Sequence, residues 1–149
     1  MRDALNNDLK AAMKSGDKRR VQTIRLINAA LKDKDIEARG QGKTMAPADI
    51  LALLQKMVKS RQESLGIYQK AGREDLALVE SEEIAILQDY LPKPMSEAEV
   101  TAAIDAAIAE AGAASIKDMG KVVAILKDHH AGKMDFGKAS ALVKAKLGA

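Results

Sequence analysis

The sequence contains no cysteine and no tryptophan. Without cysteine there is no disulfide, no thiolate nucleophile and no thiolate metal ligand. Its aromatic residues are limited to Tyr68, Tyr90 and Phe136. That scarcity argues against a β-sandwich filled by aromatic and β-branched strand residues. It argues equally against recognition of single-stranded nucleic acid by stacking bases on rings. No apolar run reaches the roughly 18 residues of a membrane-spanning helix. The opening residues, MRDALNNDLK, lack the hydrophobic region of a secretory signal. Together these absences lead to the expectation of a cytoplasmic protein with no membrane partner.

The chain does hold 149 residues rich in alanine, leucine, lysine and glutamate, enough for one medium domain or two small ones. Apolar positions recur at helical spacing throughout. Residues 3 to 14 predict a short helix with Leu5, Leu9 and Met13 inward, stopped at Ser15-Gly16, with Asp17 capping the next. That second helix turns Val21, Ile24, Ile27 and Leu31 to one side and frays near Arg39-Gly40. A third begins at Pro47, suited to the first helical position, and reaches about Lys70 with Ile50, Leu53, Leu54, Met57, Val58, Leu65 and Tyr68 at helical spacing. A fourth runs on to Leu91 with Leu76, Val79, Ile84 and Leu87. No alternation suggests a strand, so the expected fold class is all-α.

Pro92 and Pro94 stand one residue apart in LPKP and stiffen a connection no helix crosses. They predict a four-helix N-terminal domain over residues 1–91, a proline linker over 92–95 and a three-helix bundle over 96–149. In the latter, Ser96 and Glu99 form a capping box, with Val100, Ile104 and Ile108 inward and Gly112 past the end. Ser115 or Lys117 opens the next helix, with Val122, Val123 and Leu126. Asp135 caps the last, with Phe136, Ala139, Leu142, Val143 and Leu147.

Several stretches invite a chemical reading. Gly42-Lys43-Thr44 resembles the end of a P-loop, but the first glycine of that motif would fall at position 37, which is Glu37, and no strand precedes it. A flexible helix–helix loop accounts for it better. His129 and His130 are adjacent, and neighbours on a helix point about 100° apart, so they do not converge on one metal. Their place at a helix C-terminus suits dipole capping. Glu80, Glu82, Glu83 and Asp89 read as a solvated face or as helix–helix ion pairs, with Arg61 and Arg73 within reach. No nucleophile–base pair, metal set or cofactor fingerprint appears, so no catalytic residue and no cofactor are assigned.

Net charge is only +3, so its distribution matters more than its sum. Between residues 10 and 39, nine basic residues, Arg19, Arg20 and Arg25 among them, face four acidic ones. From Lys117 onward there are seven lysines against three aspartates, whereas residues 96 to 111 carry four acids and no base. Such polarity points to an anionic partner. Lysines meet phosphates as point charges and carry little base information, which suits a folded RNA read by shape and backbone. The candidate RNA contacts are Lys117, Lys121, Lys127, Lys133, Lys138, Arg19 and Arg20, with Gly120 and Gly132 allowing turns or close approach. The alternative is a protein-interaction adaptor whose basic surface is incidental; it predicts a contiguous exposed apolar patch.

Three stretches carry a resemblance that covers essentially the whole chain: KRRVQTIRLINAALKDKDIEARGQG (18 to 42), ILALLQKMVKSRQESLGIYQKAGREDLALVESEEIAILQDYLPKPMSEAEV (50 to 100) and DMGKVVAILKDHHAGKMDFGKASALVKAKL (118 to 147). They are similar to the GatB/YqeY family. The resemblance implies an all-helical protein in two parts, like the C-terminal helical and tail regions of the B subunit of the tRNA-dependent amidotransferase. In that enzyme the tail contacts tRNA, and the chemistry lies in a large catalytic domain for which this chain has no room. The resemblance therefore implies a tRNA-binding accessory module in translation, acting alone or beside an aminoacyl-tRNA enzyme, without catalysis of its own.

Overall fold

The computed structural model describes residues 1–148. Seven α-helices and one short 3₁₀ turn follow one another, and no strand occurs among the described residues. The all-α expectation holds. The chain divides into two compact units, the first spanning Met1–Leu91 and the second starting at Pro92.

The first unit contains α1 (Arg2–Ser15), α2 (Lys18–Gly40), α3 (Pro47–Lys70) and α4 (Glu74–Gln88). Helix α1 ends at Gly16, whose φ of 76° places it in the left-handed region that glycine enters without a Cβ penalty. Asp17 then caps α2 by accepting from the Arg20 N–H. These two residues reverse the chain, and α1 packs along α2. Helix α3 starts at Pro47, and the Asp49 carboxylate accepts from the Ala46 N–H at 2.8 Å. It packs along α4, while α2 touches both. The core joins Leu5, Ile24, Ile27, Leu31, Ile50, Leu54, Val58, Ile84 and Leu87.

Two expectations shift here, and one buried polar residue comes as an addition. Met13 is 55% exposed and Ala12 is buried in its place. Each i+4 step overshoots a full turn by about 40°, so a stripe of Leu5, Leu9 and Met13 drifts off the face after two steps. Helix α4 ends at Gln88 rather than Leu91. Its last turn tightens into bonds from Tyr90 N–H to Leu87 O and from Leu91 N–H to Gln88 O, because Pro92 disfavours helical backbone at Leu91. Thr23, polar in type, is fully buried; its hydroxyl donates to Arg19 O one turn back.

The second unit contains α5 (Glu97–Ala111), a 3₁₀ turn (Ile116–Asp118), α6 (Met119–His130) and α7 (Phe136–Gly148). The Ser96–Glu99 capping box forms reciprocally, and these bonds hold the Glu99 carboxyl below its ordinary range, helped by Lys93 and Lys133. Asp135 accepts from the Gly137 and Lys138 N–H groups at the start of α7. The core is Ile104, Ala107, Val122, Leu126, Met134, Ala139 and Val143. Leu142, expected inward, is 45% exposed: it lies one residue, about 100°, from buried Val143.

Candidate functional site

The acidic cluster on α4 is divided among three arginines of other helices. Glu83 accepts from Arg61 Nε of α3 at 2.8 Å with both side chains largely buried. Glu82 pairs with Arg19 of α2 at 3.0 Å. Asp89, just past α4, pairs with Arg20 at 3.0 Å, and that bond raises the Arg20 pKa. Arg73 takes no part; it pairs with Asp75, two residues along, at 3.1 Å. A carboxylate that local in sequence meets an exposed guanidinium before a more distant one can.

Arg19 and Arg20, candidate phosphate contacts from the sequence, are thus ion-paired within their own unit. Beside them, Tyr90 donates its hydroxyl to Asp8 of α1 at 2.5 Å. Burial first, then that bond, pushes the phenol up to about 12. This corner of the first unit is an interlocked set of charges, not a free cationic surface.

The second unit distributes its charge differently. Helix α5 is acidic, and its carboxylates reach toward the bases around it. Asp105 accepts from Lys146 of α7, and Glu110 lies 3.7 Å from His129 of α6. Lys117, Lys121, Lys127, Lys133, Lys138 and Lys144 are exposed and make no ion pair among the described residues. Lys117 lies in the 3₁₀ turn, Lys121 and Lys127 on α6, Lys133 in the turn before α7, and Lys138 and Lys144 on α7. Gly132 takes φ of 77° in that turn, as expected of turn geometry, whereas Gly120 lies inside α6 with open space where a Cβ would stand. Gly42-Lys43-Thr44 lies in the loop after α2, with the Lys43 N–H bonded to Ala38 O.

His129 and His130 end α6, with ring centroids 6.2 Å apart. Among the described residues no group of three histidine, aspartate or glutamate side chains is placed to hold a metal. Burial, then the neighbouring His129 and Lys133, pushes His130 below its ordinary value near 6.5. A base whose folded pKa is lowered takes up its proton first in the unfolded chain. Its contribution to stability is complete above about pH 6.5 and is lost as pH falls. Replacing His130 with glutamine should therefore flatten the decline in stability of the second unit between pH 7 and pH 5. Urea titrations of wild type and His130→Gln across that range would show it; parallel profiles would count against it.

Residues 2–147 match the model of the Yqey-like protein family. The chain belongs to that family. Its curated relatives include three fungal proteins named "Altered inheritance of mitochondria protein 41, mitochondrial". The one from Lachancea thermotolerans is 32% identical across 96% of this chain and 76% of the relative. Those from Eremothecium gossypii and Vanderwaltozyma polyspora are 37% and 33% identical, across 66% and 58% of this chain and 54% and 46% of the relatives. This YqeY-like chain thus spans about half the length of the latter two. These names overturn the expectation of a cytoplasmic protein. The absence of a secretory signal and of a spanning helix does not separate cytosolic from mitochondrial proteins, whose targeting segments are amphipathic rather than long and apolar.

Proposed function

We propose that this YqeY-like chain binds folded RNA, tRNA foremost, through the lysines of its second unit, as an accessory to an aminoacyl-tRNA enzyme. The observation that carries the reading is the separation of charge in that unit. Asp105 and Glu110 meet Lys146 and His129. Lys117, Lys121, Lys127, Lys133, Lys138 and Lys144 are left exposed and without carboxylate partners among the described residues. Unpartnered ammonium groups release counterions from a phosphate backbone without first breaking an internal pair. Arg19 and Arg20 contribute less, because each would have to leave Glu82 or Asp89 to meet a phosphate. Aliphatic helices bearing lysines suit a partner recognised by shape and backbone.

The test is binding of the full chain to a tRNA pool and to an RNA duplex of equal length at about 0.15 M salt. tRNA should bind more tightly. The double variant Lys121→Glu/Lys138→Glu should lose roughly tenfold or more in affinity, and its log–log salt slope should fall by about 2. Arg19→Glu should change both much less. Equal, weak binding to both RNAs that is indifferent to the lysine reversals would overturn the proposal.

A further inference from the structure

The surface between α1 and α2 has a different character from the lysine-bearing second unit. A groove of about 640 Å³ runs there over Ala12, Met13, Val21 and Leu26, with Lys18 and Arg25 at its edge. Met13 and Leu26 are large apolar side chains, 55% and 41% exposed. No carboxylate lines the groove. Lys18 and Arg25 form no ion pair among the described residues, although Arg19 and Arg20, between them in sequence, are both paired to the α4 side. The first turns of α2 therefore separate their cations, with two closing the bundle and two left over an aliphatic floor.

That combination selects its occupant. An aliphatic floor without a ring offers nothing for a nucleobase to stack on. It does suit the apolar stripe of a helix whose large side chains recur at i, i+3 or i+4, and i+7. The cationic edge and the missing carboxylates favour such a helix with acidic flanks, since complementary charge across a docking surface speeds encounter and excludes the wrong partner. The chain's own acidic helices fit poorly. Val100, Ile104 and Ile108 of α5 are taken up by the core of the second unit. On α4 the only large exposed apolar side chain is Leu78, one anchor where the floor offers room for more.

We propose that the α1–α2 groove docks an acidic amphipathic helix of a partner protein, its apolar side chains over Met13, Val21 and Leu26 and its carboxylates facing Lys18 and Arg25. This surface is built from residues of the first unit, whereas the lysines assigned to RNA belong to the second.

The experiment selects displayed random peptides of about 16 residues, some four helical turns, on the full chain, and measures enriched peptides by fluorescence anisotropy. The expected sequences carry leucine-like residues at helical spacing with aspartate or glutamate beside them. Leu26→Glu and Met13→Ser, both at exposed positions, should leave the thermal melt unchanged and weaken these peptides about tenfold or more. Lys18→Glu/Arg25→Glu should weaken the acidic peptides and favour the same peptides with lysine in place of their acids. Five results would overturn the proposal. The selection could come out empty, or the enriched peptides could be basic. Affinity could be indifferent to all three variants. A concentration-dependent dimer could be abolished by Leu26→Glu, which would make the occupant a second copy. Leu26→Glu could weaken tRNA as much as peptide, which would merge this surface with the RNA site.

Discussion

Replacing Glu83 with alanine should destabilise the first unit by about 3–5 kcal/mol, the usual cost of removing one partner from a buried ion pair. Glu83 is 6% exposed, and its carboxylate sits 2.8 Å from Arg61 Nε. The other face of the guanidinium is tied to Met57 O, a turn back on α3. Arg61 is therefore held where it is, and without Glu83 its charge stays buried with no counterion. The attraction between the two is not the main source of the effect, because desolvating both charges offsets most of it. A paired replacement, Arg61→Met with Glu83→Leu, should accordingly recover most of the loss. Glu82→Ala, which breaks an exposed pair with Arg19, should cost no more than about 1 kcal/mol. Urea unfolding of the three variants separates these cases. A Glu83→Ala loss as small as that of Glu82→Ala would mean that water reaches the pair.

Leu126→Ala should unfold the second unit while the first stays folded. Leu126 is 1% exposed at the centre of a core whose other members include Ala107 and Ala139. Leucine-to-alanine changes in a core cost about 2–5 kcal/mol. A core of this size rarely supplies more than about 3–5 kcal/mol in all, so one truncation nearly exhausts it. The first unit has its own cluster of larger side chains, from Leu5 to Leu87, none of which Leu126 belongs to. Glycine amide resonances give the readout on the full chain. Gly112 and Gly132 should collapse to random-coil positions, while Gly16 and Gly72 keep theirs. Loss of both sets together would show that the units unfold as one.

What the sequence made legible was local. Pro47, the Ser96–Glu99 box and Asp135 each mark a helix start through chemistry contained in three or four residues, and the structure places a start at each. Buried positions were legible where a stripe stayed on one face, as with Ile24, Ile27 and Leu31, and misread at its margins, as with Met13 and Leu142. The pairing of charges was not legible. Arg19 and Arg20 find Glu82 and Asp89 across 63 and 69 residues, and no local pattern distinguishes them from Lys18 and Arg25, which form no ion pair among the described residues. The lysines of the second unit could be listed from sequence, but which of them α5 would engage depended on how α6 and α7 pack against it. The apolar groove was invisible for the same reason: Met13 counts as core until the helix is wound.

The bond between Tyr90 and Asp8 spans 82 residues and fastens the last residues of the first unit to its first helix. During synthesis this closure has to wait for almost the whole of that unit to leave the ribosome, since a loop so long forms only when both ends are present. Once Tyr90 has been added, residues 92 to 149 follow in roughly 3–12 s at about 5–20 residues per second. Helix formation and hydrophobic collapse are far faster than that. Tyr90 leaves the ribosome ahead of the lysine-bearing helices, so the first four helices can latch before the second unit is complete.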